Sequence, residues 1–363
     1  MSGRPSHTVR VKKNTAKAIA VVTAALVGVS AITIAQTIAI YDSFFPRYER
    51  PDPSLTPGMT IYARFEGSLP REMFFIPSGE NQLAAYYYPA AEPKALAVTV
   101  HGIHAGGDDL LPLIESLVQA GYAVLSYDAT ATYDSTGEDG IGMCQLIRDL
   151  DAVLCYLSEH PDYSTLPRVL LGHSLGGNAV ASVLSLHSEV KAAVCIAAMT
   201  DASTLMVETA RMYVHDIAYT VKPVFDVYQK YLFDDYTELN AVRGINDSQI
   251  PILLAQGLQD DVIPHDSIAV TAELEKITNP NVSVYYTDGS QGTHTGILQD
   301  ADALTYRELV SDTLDAMEAR KGAALTNAEK KAFYAGVDHR RYSAVNQELV
   351  ARILDTFRAG LSA

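Results

Sequence analysis

The strongest constraint on this 363-residue chain is a rhythm in its middle. Short, nearly uncharged apolar runs recur there, separated by longer amphipathic windows. The runs are residues 95–100 (ALAVTV), 122–127 (YAVLSY), 168–172 (RVLLG), 191–198 (KAAVCIAA), 251–257 (PILLAQG) and 281–287 (NVSVYYT). Runs this short, continuous rather than alternating in polarity, suit strands buried on both faces. The windows 109–121 and 142–160 keep helical spacing instead, with Leu146, Leu150, Val153 and Leu157 on one stripe of the second. Strands interleaved with helices predict an α/β fold: a doubly wound, mostly parallel sheet covered on both faces. Ahead of it, two apolar-aromatic runs flank Ser78-Gly79-Glu80-Asn81 and predict a hairpin.

The rhythm breaks once. Residues of about 201–248 are helix-like and rich in Met, Tyr and Phe, which predicts a small helical lid inserted over one end of the sheet. The tail 322–363 predicts a C-terminal helical extension of two helices. One starts with a capping box, Thr326 to Glu329; the other carries the stripe Leu349, Ile353 and Phe357 and is closed by Gly360.

The amino-terminal end differs from everything else. Of the 27 basic residues, five lie in the first 41 positions, which hold no acid; 22 bases then face 43 acids. Residues 18–40 are an uncharged run, about 35 Å as a helix against a bilayer core of about 30 Å. The first reading is an uncleaved anchor. A cleaved secretory signal and a buried soluble helix are the alternatives. Basic residues stay on the cytoplasmic side, so residues 1–17 read as a basic cytoplasmic tail and 18–41 as a transmembrane anchor or signal. The proline-rich residues 42–58 read as a linker and 59–321 as the α/β domain. The body would be extracytoplasmic on a single-pass membrane protein, or secreted if the segment is cleaved.

Residues 168–181, RVLLGHSLGGNAVA, carry the chemistry. Ser174 stands between a strand and a helix that begins at once, with glycines at 172 and 176 clearing the tight bend. The helix amino terminus directs N–H groups and a positive dipole end to the same place. A serine hydroxyl becomes a nucleophile only with a base to take its proton and a carboxylate to orient the base. Of the histidines, His294 and His339 follow the last strand; His294 sits in a glycine-flanked loop directly after it, while His339 is on a helical tail. An acid is available after residues 251–257, in the segment Leu258–Asp266.

With VTVHGIHAGG, GHSLGG, GLQDDVIP and GTHTGIL in this order, the chain resembles α/β-hydrolase fold serine hydrolases over residues 70–320. It is most similar to the branch holding monoacylglycerol lipases, carboxylesterases and serine aminopeptidases. The resemblance implies Ser174 as nucleophile, His294 as base and Asp260 as acid, with Asp261 the substitute. It implies an oxyanion hole from the N–H groups of Leu175 and Ile103. The loop ATATYDSTGEDG departs from the family's Arg-Gly-x-Gly turn, keeping Asp128, Ser135 and Gly137.

The expected activity is hydrolysis of a small-molecule or lipid-like carboxylic ester, with no metal or cofactor. A peptidase or aminopeptidase on the same residues is one alternative, with Asp201, Glu208 or Asp216 meeting an amine; a catalytically silent binding scaffold is the other. The net charge of −16 argues against nucleic acid as a partner. His101, His104, Asp108 and Asp109 could be drawn as a metal cluster, but His101 belongs to the oxyanion turn and the aspartates suit a helix start. Cys144, Cys155 and Cys195 show neither disulfide nor zinc spacing and read as small core residues. Asn246 and Asn281 stand in glycosylation sequons.

Overall fold

The computed structural model describes residues 32–58, 60–201, 204–208, 211, 215 and 218–362. Eight strands form one sheet: β1 (Glu72–Ser78), β2 (Asn81–Tyr88), β3 (Leu96–Val100), β4 (Ala123–Tyr127), β5 (Arg168–His173), β6 (Val190–Ile196), β7 (Ile252–Gly257) and β8 (Val282–Thr287). Their order is β1-β2-β4-β3-β5-β6-β7-β8. β1 and β2 form the expected hairpin, turned at Gly79 with φ +58°, and β2 lies antiparallel to β4. All pairings from β4 across to β8 are parallel. The six predicted runs match β3 to β8 to within two residues; β3 to β7 are buried on both faces and so apolar almost throughout, while β8, at the edge, is only partly buried.

The helices are α1 (residues 32–42), α2 (Leu111–Gln119), α3 (Gln145–Glu159), α4 (Leu175–Val183), α5 (Ala218–Phe233), α6 (Ala241–Ser248), α7 (Ala301–Lys321), α8 (Asn327–Tyr334), α9 (His339–Tyr342) and α10 (Gln347–Ser362). One apolar cluster joins the sheet to α3, α4 and the insertion residues Phe225 and Phe233; a second joins its other face to α2 and α10. The capping box at Thr326 is present.

Both the segment 41–58 and the carboxyl-terminal helix α10 are packed onto the body. Most of the expected anchor, residues 18–31, lies outside the described residues. Among those described, no helix is long and apolar enough to cross a membrane. α1 ends with Tyr41 fully buried against Phe45, Phe225 and Tyr228, its hydroxyl accepting from the N–H of Met143 at 3.0 Å. Residues 42–58, read as a linker, are laid along the body as a strap. The Arg47 guanidinium donates to the carbonyls of Tyr133, Ser135 and Gly137, and the Tyr48 N–H donates to the carbonyl of Ala131.

At the other end, α7 buries little beyond Ala303 and Val310, while α10 sets Leu349, Ile353 and Phe357 onto the sheet. Gly360 does not close α10, which runs on to Ser362. It lets the helix touch β6: a Cβ there would lie 2.0 Å from the carbonyl oxygen of Lys191. Gly→Ala inside a helix ordinarily stabilises by about 1 kcal/mol. Here the sign should reverse, with Gly360→Ala losing about 1–3 kcal/mol through overpacking. Urea unfolding of the two chains checks this; a gain in stability would mean that α10 is not held against Lys191.

Candidate active site

The site forms where β5 turns into α4. Ser174 is held at φ 58°, ψ −124°, a strained conformation, its N–H donating to the Ile196 carbonyl at 2.8 Å. The glycines beside it are steric necessities. A Cβ on Gly172 would lie 2.2 Å from the Gly176 oxygen, and one on Gly176 would lie 2.3 Å from the Val100 oxygen. Gly102, after β3, brings its backbone against Ser174: a Cβ there would lie 3.1 Å from the serine Cβ.

His294 arrives on the loop after β8. Its Nε2 lies 2.9 Å from Ser174 Oγ and its Nδ1 2.8 Å from Asp260 Oδ2. Asp260, on the loop after β7, is buried and fully bonded. Oδ1 accepts from the N–H groups of Val262 (3.0 Å) and Ile263 (2.8 Å), and Oδ2 also accepts from Gln256 Nε2 at 3.1 Å. Asp261, its neighbour, is exposed. His339 sits on α9, away from these atoms, its Nδ1 facing the Pro57 carbonyl. The predicted trio Ser174, His294 and Asp260 is thus brought together from three loops.

Two further histidines brace the site: His173, which sequence reasoning gave no role, and His101, which it placed in the oxyanion turn. His173 is buried and donates through Nε2 to the His294 carbonyl at 3.0 Å; burial, aided by His294, pushes it down to about 4, so it stays neutral. His101 donates from Nδ1 to the Gly102 carbonyl (2.7 Å) and accepts at Nε2 from the Ala129 N–H (3.0 Å), which ties the Gly102–His104 turn to the loop after β4. The N–H groups of Ile103 and Leu175 donate to no backbone acceptor among the described residues.

The departing loop, residues 129–140, is held by carboxylates. Asp149, buried in α3, accepts from the N–H and hydroxyl of Thr130 and from Ser78. Asp128 accepts from Tyr86 and from the N–H groups of Gly107 and Asp134. Arg50 of the strap pairs with Asp108 and Asp134 at 2.9 Å each. These were not recognisable in sequence, where Asp149 reads as one polar residue of an amphipathic helix.

No metal cluster forms at His101, since both its nitrogens are taken by backbone groups; Asp108 pairs with Arg50 and Arg71, and Asp109 bonds to Gly106 N–H and Tyr133. Among the described residues, Asp151, Cys155 and His187 have donor atoms within 4.8 Å of one another. His187 there is already held between the carboxylates of Asp151 and Glu189. Cys155 is exposed, unlike the buried Cys144 and Cys195.

Above Ser174 and His294 lies a cavity of about 460 Å³. Its walls come from unexpected places: Tyr48, Pro51 and Thr60 near the amino terminus, and Arg307, Ser343 and Val345 near the carboxyl terminus. Leu110, Leu113, Val262 and Leu298 make it largely apolar. No described residue of 201–248 lines it; Phe225 and Phe233 pack on Tyr41 and α3 instead.

Residues 91–244 match the model of the family described as serine aminopeptidase, S33. No curated protein matches the chain at the level of a relative. Among solved structures, the esterase Pf2001 of Pyrococcus furiosus is 18% identical over 76% of this chain and 95% of that one, with a TM-score of 0.52. Est1E of Butyrivibrio proteoclasticus, bound to ferulic acid, is 18% identical over 68% and 98%, with a TM-score of 0.50. The chain has the α/β-hydrolase fold, and the resemblance drawn from the four motifs is borne out.

The buried Asp128 gives the site's surroundings a pH signature. Burial pushes its carboxyl up to about 6, against about 3.9 when unfolded. The folded chain therefore binds more protons between these values, and Asp128's contribution to stability falls as pH rises through about 4 to 6. Asp128→Asn should remove that slope, gaining on wild type by about 2 kcal/mol across the window. Denaturant unfolding at the two ends of the window measures it; an unchanged difference would mean that Asp128 is ionised throughout.

Proposed function

We propose that this α/β hydrolase is a serine hydrolase that cleaves carboxylic esters. The observation that carries the reading is the continuous line from Ser174 Oγ through His294 to a buried, four-times-bonded Asp260 carboxylate. His294 keeps its proton on Nδ1, donating a hydrogen bond to Asp260, which leaves the Nε2 lone pair facing the serine hydroxyl. Nε2 takes the hydroxyl proton as Oγ attacks the acyl carbon. The charge on the former carbonyl oxygen is met by the N–H groups of Leu175 and Ile103, each such donor contributing about 3 kcal/mol. His294 gives the proton to the leaving alcohol, then takes one from the water whose oxygen attacks the acyl-serine, and passes it to Ser174 Oγ as the bond to the acyl carbon breaks and the acid leaves.

Ester is favoured over amide by the apolar cavity walls. An aminopeptidase needs a pocket acid for the substrate amine. Asp201 and Glu208 do not line the cavity, Asp216 lies outside the described residues, and the carboxylate that does line it, Asp109, is engaged by the Gly106 N–H and the Tyr133 hydroxyl. We place the enzyme at the outer face of a membrane, held by residues 18–40. The uncharged run behind five basic residues supports this, as do Ile32, Ile34 and Ile40, which α1 leaves exposed.

The full chain in detergent is the material for the test, since removing residues before 42 would take Tyr41 out of the core. A fluorophosphonate probe should label wild type and fail on Ser174→Ala and His294→Ala. Asp260→Asn should lower kcat on an activated ester about 10⁴-fold with the fold intact. A folded wild type that takes no label would leave a binding scaffold as the reading.

A further inference from the structure

Arg307 is the only lysine or arginine in the lining of the cavity among the described residues, and its charge is left open. It projects from the first turns of α7. Its Nε donates to the Tyr342 carbonyl at 2.7 Å and its guanidinium carbon lies 4.6 Å from the centre of the Tyr342 ring. Among the described residues no acceptor takes its Nη groups and no carboxylate pairs with it. Burial pushes the guanidinium below its ordinary value, opposed only by the Tyr342 phenol.

This is unusual for this chain, where acids outnumber bases by 16. The other arginines near this wall are neutralised: Arg341 by Asp302, Arg340 by Glu115, Arg50 and Arg71 by Asp108. Asp302, near Arg307 on α7, is thus already engaged. A half-buried cation without a counter-ion loses hydration, and one carbonyl and the Tyr342 ring return only part of it. The cavity lining also holds Gln299, whose side-chain carbonyl oxygen is buried without a donor. Arg307 thus lacks an anionic partner in the lining of the cavity that holds the nucleophile.

We propose that Arg307 binds a carboxylate on the substrate, so that the enzyme prefers esters whose far end is anionic. A single planar guanidinium, in a largely apolar cavity whose one lining carboxylate, Asp109, is already bonded to the Gly106 N–H and Tyr133, matches a monoanion joined to Ser174 by a hydrocarbon spacer. The inference rests on the ester-hydrolase reading, and Arg307 in it is a specificity-determining residue. It takes no part in bond breaking.

The test compares p-nitrophenyl hemiesters of adipic, pimelic and suberic acids with the same esters methyl-capped at the distal carboxyl. Wild type should favour the hemiester of fitting length by about 10- to 100-fold in kcat/KM, through KM. Arg307→Gln should abolish that preference and leave the capped esters within about twofold. No preference at any length, or equal loss on both series in a folded variant, overturns the proposal. If neither series is turned over, the ester-hydrolase reading fails by itself. Calorimetry with monomethyl suberate then decides the Arg307 site: binding lost in Arg307→Gln supports it, and no binding to wild type overturns it.

Discussion

Three stretches of backbone meet at Ser174 with no room between them. Gly172 touches Gly176, Gly176 touches the end of β3, and Gly102 rests on the serine itself. A side chain at any of these contacts would move β3, β5 or α4 by about an ångström, and each carries part of the site. β5 and α4 set the serine; β3 sets the turn bearing Ile103. The positive φ of Ser174 is tolerable only because this packing leaves no alternative. The other two members of the trio then need only two loops of defined length, after β7 and β8, to reach the same point.

Much of this could be read from sequence, because local rules govern it. Continuous apolar runs located β3 to β8, and Ser-Gly-Glu-Asn located the hairpin turn. The choice of Asp260 over Asp261 followed the family spacing. Its physical reason lies in the turn, where the N–H groups of Val262 and Ile263 close on one carboxylate and leave the next in solvent.

What could not be read depends on groups meeting across long separations, charged ones above all. Arg50 reaches Asp108 and Asp134, and Arg47 reaches carbonyls 86 to 90 positions away. Proline-rich composition described residues 42–58 as a linker, yet these arginines turn them into a strap. The lid was placed by sequence order over the sheet, whereas the cavity wall comes from α7, the segment after α9 and the strap. Periodicity places α10 on something apolar; it does not say that α10, rather than α7, covers the sheet.

The strap meets the carboxyl-terminal helices beside the cavity: the Pro57 carbonyl faces His339, and Asp52 pairs with Lys331. Closing a loop of that length carries its entropy cost late, after the central sheet exists. During synthesis Ser174, Asp260 and His294 emerge well before Val345, the last residue of the cavity wall. A chain that has not reached Val345 would therefore hold these three side chains in a cavity that still lacks one wall. The cavity is completed only after the residues at its floor are in place.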